Sequence, residues 1–212
     1  MRLRLAAAAL AALAFAAAPA HAAGLSGMGA NLFGNYFHFP RPNLPKPVVK
    51  SITAGSVRME LQHTQLATIR KAFGGQIRTQ GSGGSLANWL CYHTDKGQPS
   101  NTWFISNSLG GGDFVMIVAV QAANEGQVPA DCDPAPAKFS APNMGIPGLG
   151  ASSSQLKSVF GGVSGSTVAY RADVPAADAL GTALTAQYIG YILSGGKVVG
   201  YGAGETAVAN VK

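Results

Sequence analysis

The chain has 212 residues, of which only 11% are charged, with 28 glycines, 12 prolines and a formal net charge of +6. That composition excludes a coiled coil and a highly charged disordered chain. It fits a β-containing protein of one sizeable domain or two small ones. The basic residues are scattered, with no run longer than Arg70-Lys71, so the basic stripe expected of a nucleic-acid binder is not formed.

Residues 1–22 read as a secretory signal peptide: Arg2 and Arg4, an unbroken apolar run over 5–18, then Pro19 and an Ala20-His21-Ala22 cleavage pattern. The run falls short of the roughly 20 apolar residues that a bilayer span needs, and no later segment reaches that length. No Cys follows it, so no lipid anchor is expected. Cleavage near Ala22 leaves 13 basic and 9 acidic residues, a net charge of +4, in a chain expected to be periplasmic or secreted. Both cysteines, Cys91 and Cys132, lie in this part, and an even pair in an oxidising compartment predicts one disulfide. Closing a loop of about 40 residues contributes roughly 3–4 kcal/mol in the chain-entropy model.

Residues 23–56 are expected to form an N-terminal tail and linker. The tail is Gly-rich, then aromatic at Leu32-Phe33 and Tyr36-Phe37-His38-Phe39, without a clear period. Residues 40–47 read Pro-Arg-Pro-Asn-Leu-Pro-Lys-Pro, a stiff extended spacer. A first unit is expected over 57–122. It opens with a helix capped by Thr64, with Leu66, Ile69, Ala72 and Phe73 on one face and Gly74-Gly75 as its stop. A loop over 79–85 and strands at 86–93, 102–107 and 114–122 follow, with Gly110-Gly111-Gly112 turning between the last two.

Residues 123–148 form a connector in which Pro129, Pro134, Pro136, Pro142 and Pro147 oppose regular structure. A second unit is expected over 149–206. Ser152 and Gln155 make a capping box, Leu156, Val159 and Phe160 an apolar face, and Gly161-Gly162 a stop. Strands are expected at 167–173, 181–193 and 197–201, with a turn over 175–178 and a tight turn at Gly195-Gly196. The chain beyond Gly204 is expected to fray, with 207–212 as a tail.

The two units echo each other. Phe73-Gly74-Gly75 recurs as Phe160-Gly161-Gly162, and Leu109-Gly110-Gly111-Gly112-Asp113-Phe114-Val115 as Leu193-Ser194-Gly195-Gly196-Lys197-Val198-Val199. The expected fold is therefore α+β: two tandem helix-plus-three-stranded-meander repeats sharing one antiparallel sheet, helices on one face and the other face open. Over 58–204 this element order resembles the tandem-repeat fold of secreted β-lactamase inhibitor proteins, and each unit resembles the small outer-membrane assembly lipoproteins of the SmpA/OmlA type. The strings Trp89-Leu90-Cys91-Tyr92 and Leu109-Gly110-Gly111-Gly112-Asp113 are similar to those of exported proteobacterial proteins of unknown function. The resemblance implies a shared sheet and an inhibitor-like or envelope-assembly role, and it assigns no contact residue.

The signatures of common chemistries are not found. No Gly-x-Ser-x-Gly, His-Glu-x-x-His or phosphate loop occurs in a strand-to-helix context, so no catalytic residue, metal site or cofactor is expected. The expected function is non-enzymatic binding of another envelope or secreted protein by aromatic side chains on the open sheet face. Tyr92, Trp103, Tyr188 and Tyr191 are the candidates, since strands alternate faces. The alternatives are a purely structural envelope protein and a small enzyme assembled only in three dimensions. A deep pocket holding His63 or His93 with an acid would overturn the binding reading in favour of the enzyme.

Overall fold

The structure, a computed structural model, describes residues 24–35, 41–107, 112–176 and 183–209. The expected signal peptide, the aromatic run at 36–39, the turn glycines Gly110 and Gly111 and residues 210–212 lie outside them, as do positions 177 and 178 of the expected turn. In chain order the elements are α1 (Gly27–Asn35), β1 (Ile52–Ala54), β2 (Val57–Met59), α2 (Leu66–Phe73), β3 (Arg78–Gln80), β4 (Ala87–Thr94), β5 (Ser100–Ser106), β6 (Ile117–Ala122), β7 (Asp133–Pro134), α3 (Ser153–Phe160), β8 (Thr167–Pro175), β9 (Ala183–Ser194) and β10 (Lys197–Ala209). The fold is mixed α+β with a mainly antiparallel sheet, as expected. Among the described residues no helix is long and apolar enough to cross a membrane.

The main sheet has eight strands in the order β3-β4-β5-β6-β10-β9-β8, and β1 and β2 form a separate hairpin. Two antiparallel meanders, β4-β5-β6 and β8-β9-β10, join through β6 and β10. β3 and β7 share the outer edge of β4: β3 pairs antiparallel at Ala87 to Trp89 and β7 parallel at Tyr92 and His93. A two-pronged Arg78–Asp133 bridge ties these short strands, Nη2 to Oδ1 at 2.8 Å and Nη1 to Oδ2 at 3.2 Å.

Helix boundaries follow the capping chemistry. In α3, Ser152 Oγ accepts the Gln155 N–H at 3.2 Å while Gln155 Oε1 accepts the Ser152 N–H at 2.8 Å, the reciprocal pair expected from sequence. α2 begins later than expected, and its N-cap is Gln65 rather than Thr64. Thr64 Oγ1 instead accepts the Glu60 N–H at 3.0 Å, and the Leu66 N–H reaches the Asp113 carbonyl at 2.7 Å. A neighbouring segment thus satisfies a donor that the sequence assigned to a side-chain cap. Gly74 at φ 77° and Gly161 at φ 88° end the two helices. Val159, expected on the apolar face of α3, is 53% exposed, whereas Leu156 is buried.

One face of the sheet packs under α2, α3 and the segment containing β1 and β2. Its core holds Leu66, Ile69, Phe73, Leu156, Tyr92, Phe104, Tyr170 and Tyr191. The other face, expected to be open, is covered by α1, which lies across β5, β6 and β10. The fit is close. A methyl group at Gly202 would come 2.4 Å from Leu32 Cδ1 and 2.5 Å from the Val118 carbonyl, and one at Gly29 would come 2.8 Å from Trp103 Cγ. Large side chains on each partner thus meet glycine on the other.

The two described parts of the N-terminal region, 24–35 and 41–61, lie on opposite faces. Ser26 donates to the Asp131 carboxylate from N at 3.1 Å and Oγ at 2.7 Å, and the Met28 N–H reaches Gln121 Oε1 at 2.7 Å. The spacer then lies on the β8 edge, where the Asn43 and Leu44 N–H groups reach the Arg171 carbonyl at 2.9 Å. Val48 and Val49 N–H groups meet Gln187 Oε1 at 2.9 Å. The region read as a tail is therefore a belt. A second difference lies at the C-terminus: the strand expected to fray after Gly204 stays paired with β9 as far as Ala209, opposite Ala183. Backbone pairing needs only a partner strand, and β9 runs that far.

Candidate functional site

The four aromatic candidates do not face solvent. Tyr92 and Tyr191 are 0% exposed, and Trp103 and Tyr188 are 1% exposed. Tyr92 donates its hydroxyl to the Gly74 carbonyl at 2.7 Å, and burial followed by the Asp133 charge pushes its acidity out of the usual range. Tyr191 stacks on Tyr201 at 6.2 Å, and burial likewise raises it. Trp103 and Tyr188 belong to the core beneath α1, and Trp103 Nε1 donates to Asp131 Oδ2 at 2.9 Å. Only Trp103 and Tyr188 lie on the face expected to be open, whereas Tyr92 and Tyr191 lie on the face under α2 and α3. The second face also has a cover the sequence did not announce: Gly27-Met28-Gly29-Ala30 carries too few large residues for a helical period.

Cys91 and Cys132 form the expected disulfide, and Cys91 sits directly across the ladder from Trp103. The adjacent Asp131, 1% exposed, gathers donors from Ser26 and Trp103. The staple and the seat of α1 are therefore one structure.

His93 is 3% exposed, with Nδ1 2.8 Å from Asn101 Oδ1 and Nε2 3.1 Å from Asp95 Oδ1. The Gly126 N–H, more than the imidazole, holds the Asp95 carboxyl below its usual range. These bonds fasten the end of the β4-β5 hairpin to the connector.

A different group lines a cleft of about 290 Å³ on the first face, between residues 47–63 and strands β9 and β10. Its polar walls are Lys50, Ser51, Glu60, His63, Gln187 and Glu205. Gln187 is buried and fully engaged: besides accepting two N–H groups of the belt, its Nε2 donates to the Val49 carbonyl at 2.8 Å and to Glu205 Oε2 at 3.3 Å. Burial lifts the Glu205 carboxyl above the usual carboxylate range, against the pull of the Gln187 amide and of His63. Among the described residues no Lys, Arg or His nitrogen is within ion-pair distance of Glu205.

The backbone beside the cleft is also unusual. Gln62, at φ 61°, is the non-glycine residue in the left-handed region among the described residues. Its N–H reaches the Val115 carbonyl at 2.8 Å, and its Nε2 donates to the Glu205 carbonyl. Glu60, before it, and His63, after it, both line the cleft. No sequence motif marks this site, since its residues come from four separate segments. The available signal was His63 with Glu60 three residues before it; the second acid, Glu205, arrives from β10.

No family model, curated protein or solved structure matches the chain. The functional reading therefore rests on the geometry of this molecule.

Proposed function

We propose that the protein is an exported, non-enzymatic binding module of two similar helix-and-meander units, and that it engages a protein partner at the Glu205 cleft rather than by an aromatic sheet face. The observation that carries this reading is a half-buried carboxyl in a walled recess, with no Lys, Arg or His nitrogen within ion-pair distance among the described residues. Export is supported by the leader pattern of residues 1–22 and by the Cys91–Cys132 disulfide.

Two similar units are supported by the sheet register. Tyr92 is followed across the sheet by Thr102, Val120 and then Tyr201, while Tyr170 is followed by Ile189, Ala203 and then Val118. The two rows interchange about the Ala119–Gly202 pair. The two tyrosines each bond a carbonyl of the Gly-Gly stop, that of Gly74 after α2 and that of Gly162 after α3, one residue apart in the alignment. This arrangement is also what supports the likeness to the tandem-repeat inhibitor fold.

Affinity capture from envelope or culture extract tests the function. A partner retained by the native protein and lost from a folded Glu205→Gln variant is the expected result. An identical captured set from both proteins would remove the cleft from the interaction.

A second reading, an acid–base enzyme at the same cleft, is favoured by the meeting of His63 with Glu60 and the raised Glu205. Among the described residues no hydrogen bond or ion pair joins the His63 ring to either carboxyl, and the ring is exposed. A relay of nucleophile, base and orienting acid is therefore not assembled. Turnover of any ester, amide or glycoside substrate that His63→Ala abolishes would establish the enzyme instead.

A further inference from the structure

Building on the binding role of this cleft, we infer that its ligand is an ammonium or guanidinium cation, free or carried on a lysine or arginine side chain, seated on Glu205 with Glu60 at the mouth. The argument starts from an imbalance of hydrogen bonds. An ionised carboxylate has two oxygens and about four acceptor sites. Among the described residues the Glu205 carboxyl receives one long donation, from Gln187 on Oε2, while its backbone groups are taken by the Gln62 amide and the Met116 carbonyl. A half-buried carboxylate so thinly served carries a desolvation cost that a charge-assisted donor would offset.

The surroundings select the donor's charge. Glu60 is exposed at the mouth and adds a second negative charge. Lys50, on the belt, and His63, before α2, share the same walls, and Arg58 lies beyond Glu60 in an adjoining recess of about 220 Å³. Lys50 is exposed and pairs with neither acid within ion-pair distance. The deep carboxyl is therefore left for an incoming cation, while Lys50 stands where it opposes one at the rim. A volume of about 290 Å³ suits one side chain or a small amine rather than an extended ligand. The walls are also preorganised: Gln187 is fixed by the belt, and Gln62 is held in its left-handed turn by bonds at both ends.

The test uses the full mature chain, labelled with nitrogen-15, titrated with n-butylammonium, methylguanidinium, butyrate and acetamide while the Gln187 side-chain amide is followed by NMR. Saturable shifts with the two cations alone are expected, weakened at least tenfold by Glu205→Gln, severalfold by Glu60→Gln and strengthened by Lys50→Gln. Binding should also fade in the native protein as pH falls through the titration of Glu205, which keeps the test open if a variant folds poorly. An acetylated Arg-containing tripeptide run beside methylguanidinium distinguishes the sources: tighter binding of the peptide assigns the cation to a partner protein, and equal binding assigns it to a free amine. Saturation by butyrate or acetamide but not by the cations would overturn the cation and leave the cleft as a binding site. Silence with every probe would overturn both.

Discussion

The two faces of the sheet are covered in different ways. The first is roofed by several pieces, α2, α3 and the belt with its hairpin, packed through aromatic and branched side chains. The second is sealed by one short helix whose glycines and the sheet's glycines let large side chains interlock. A roof of several segments leaves seams, and the cleft at Glu205 lies in one of them. A single interlocked helix leaves little tolerance for substitution, so the cleft and the tightest structural fit lie on different faces.

The largest effect should come from breaking the interlock. Gly202→Val drives a side chain into Leu32 and the Val118 carbonyl, neither of which can retreat without moving a strand or α1. A loss of about 3 kcal/mol or more is expected in urea denaturation. A loss under about 1 kcal/mol would show that α1 is not held as described. Next comes Asp131→Ala, which strands the buried Trp103 N–H and releases Ser26. It should cost about 2–3 kcal/mol and loosen α1 without unfolding the first face, seen as faster amide exchange confined to residues 25–35 and their neighbours.

Smaller effects test the outer edge and the cleft. Burial works to raise Asp133, but the Arg78 hydrogen bonds, the Gln76 N–H and the Arg78 charge outweigh it and hold the carboxyl below its usual range. The pair therefore contributes above the ordinary Asp pKa of about 3.9, and the contribution is lost as pH falls through the lowered folded value. Arg78→Gln should cost about 1 kcal/mol at pH 7 and almost nothing at pH 2. Glu205 has the opposite sign. Its folded value is raised, so the native protein is best served below the ordinary Glu pKa of about 4.3 and loses stability as pH rises through the raised value. Glu205→Gln should melt slightly higher than the native protein at pH 7 and no higher at pH 3. A variant that gains stability while losing ligand is the signature of a site; a loss of stability at pH 7 would make Glu205 structural.

The sequence was informative where structure is local. The Ser152 capping box, the helix-ending glycines, the Gly195-Gly196 turn and six of the strands follow from caps, breakers and runs of β-formers acting within a few residues. The cysteine pair followed from compartment chemistry. What escaped was non-local. Gly27-Met28-Gly29-Ala30 becomes helical because Trp103 and a row of strand glycines fit it, and nothing in its own pattern carries that. The cleft escaped for the same reason: Lys50, His63, Gln187 and Glu205 are separated by up to 155 positions, and only the sheet register brings them together. The tyrosines were placed on the correct strands, but Tyr92 and Tyr191 face the helix-covered core, and only Trp103 and Tyr188 owe their burial to the stretch taken for a tail.

The glycine seat of α1 also orders events in time. Its contact surface includes Gly190, Gly200 and Gly202, which lie more than 150 positions further along the chain than the Met28 and Leu32 side chains they meet. α1 must therefore wait, unseated, until the β9-β10 hairpin has formed and paired with β6. Contacts spanning so much of the chain carry a large loop-closure cost and form slowly. During that interval Trp103 and Tyr188 are uncovered, so the newborn chain passes through a stage with a sticky sheet face that the finished protein never shows.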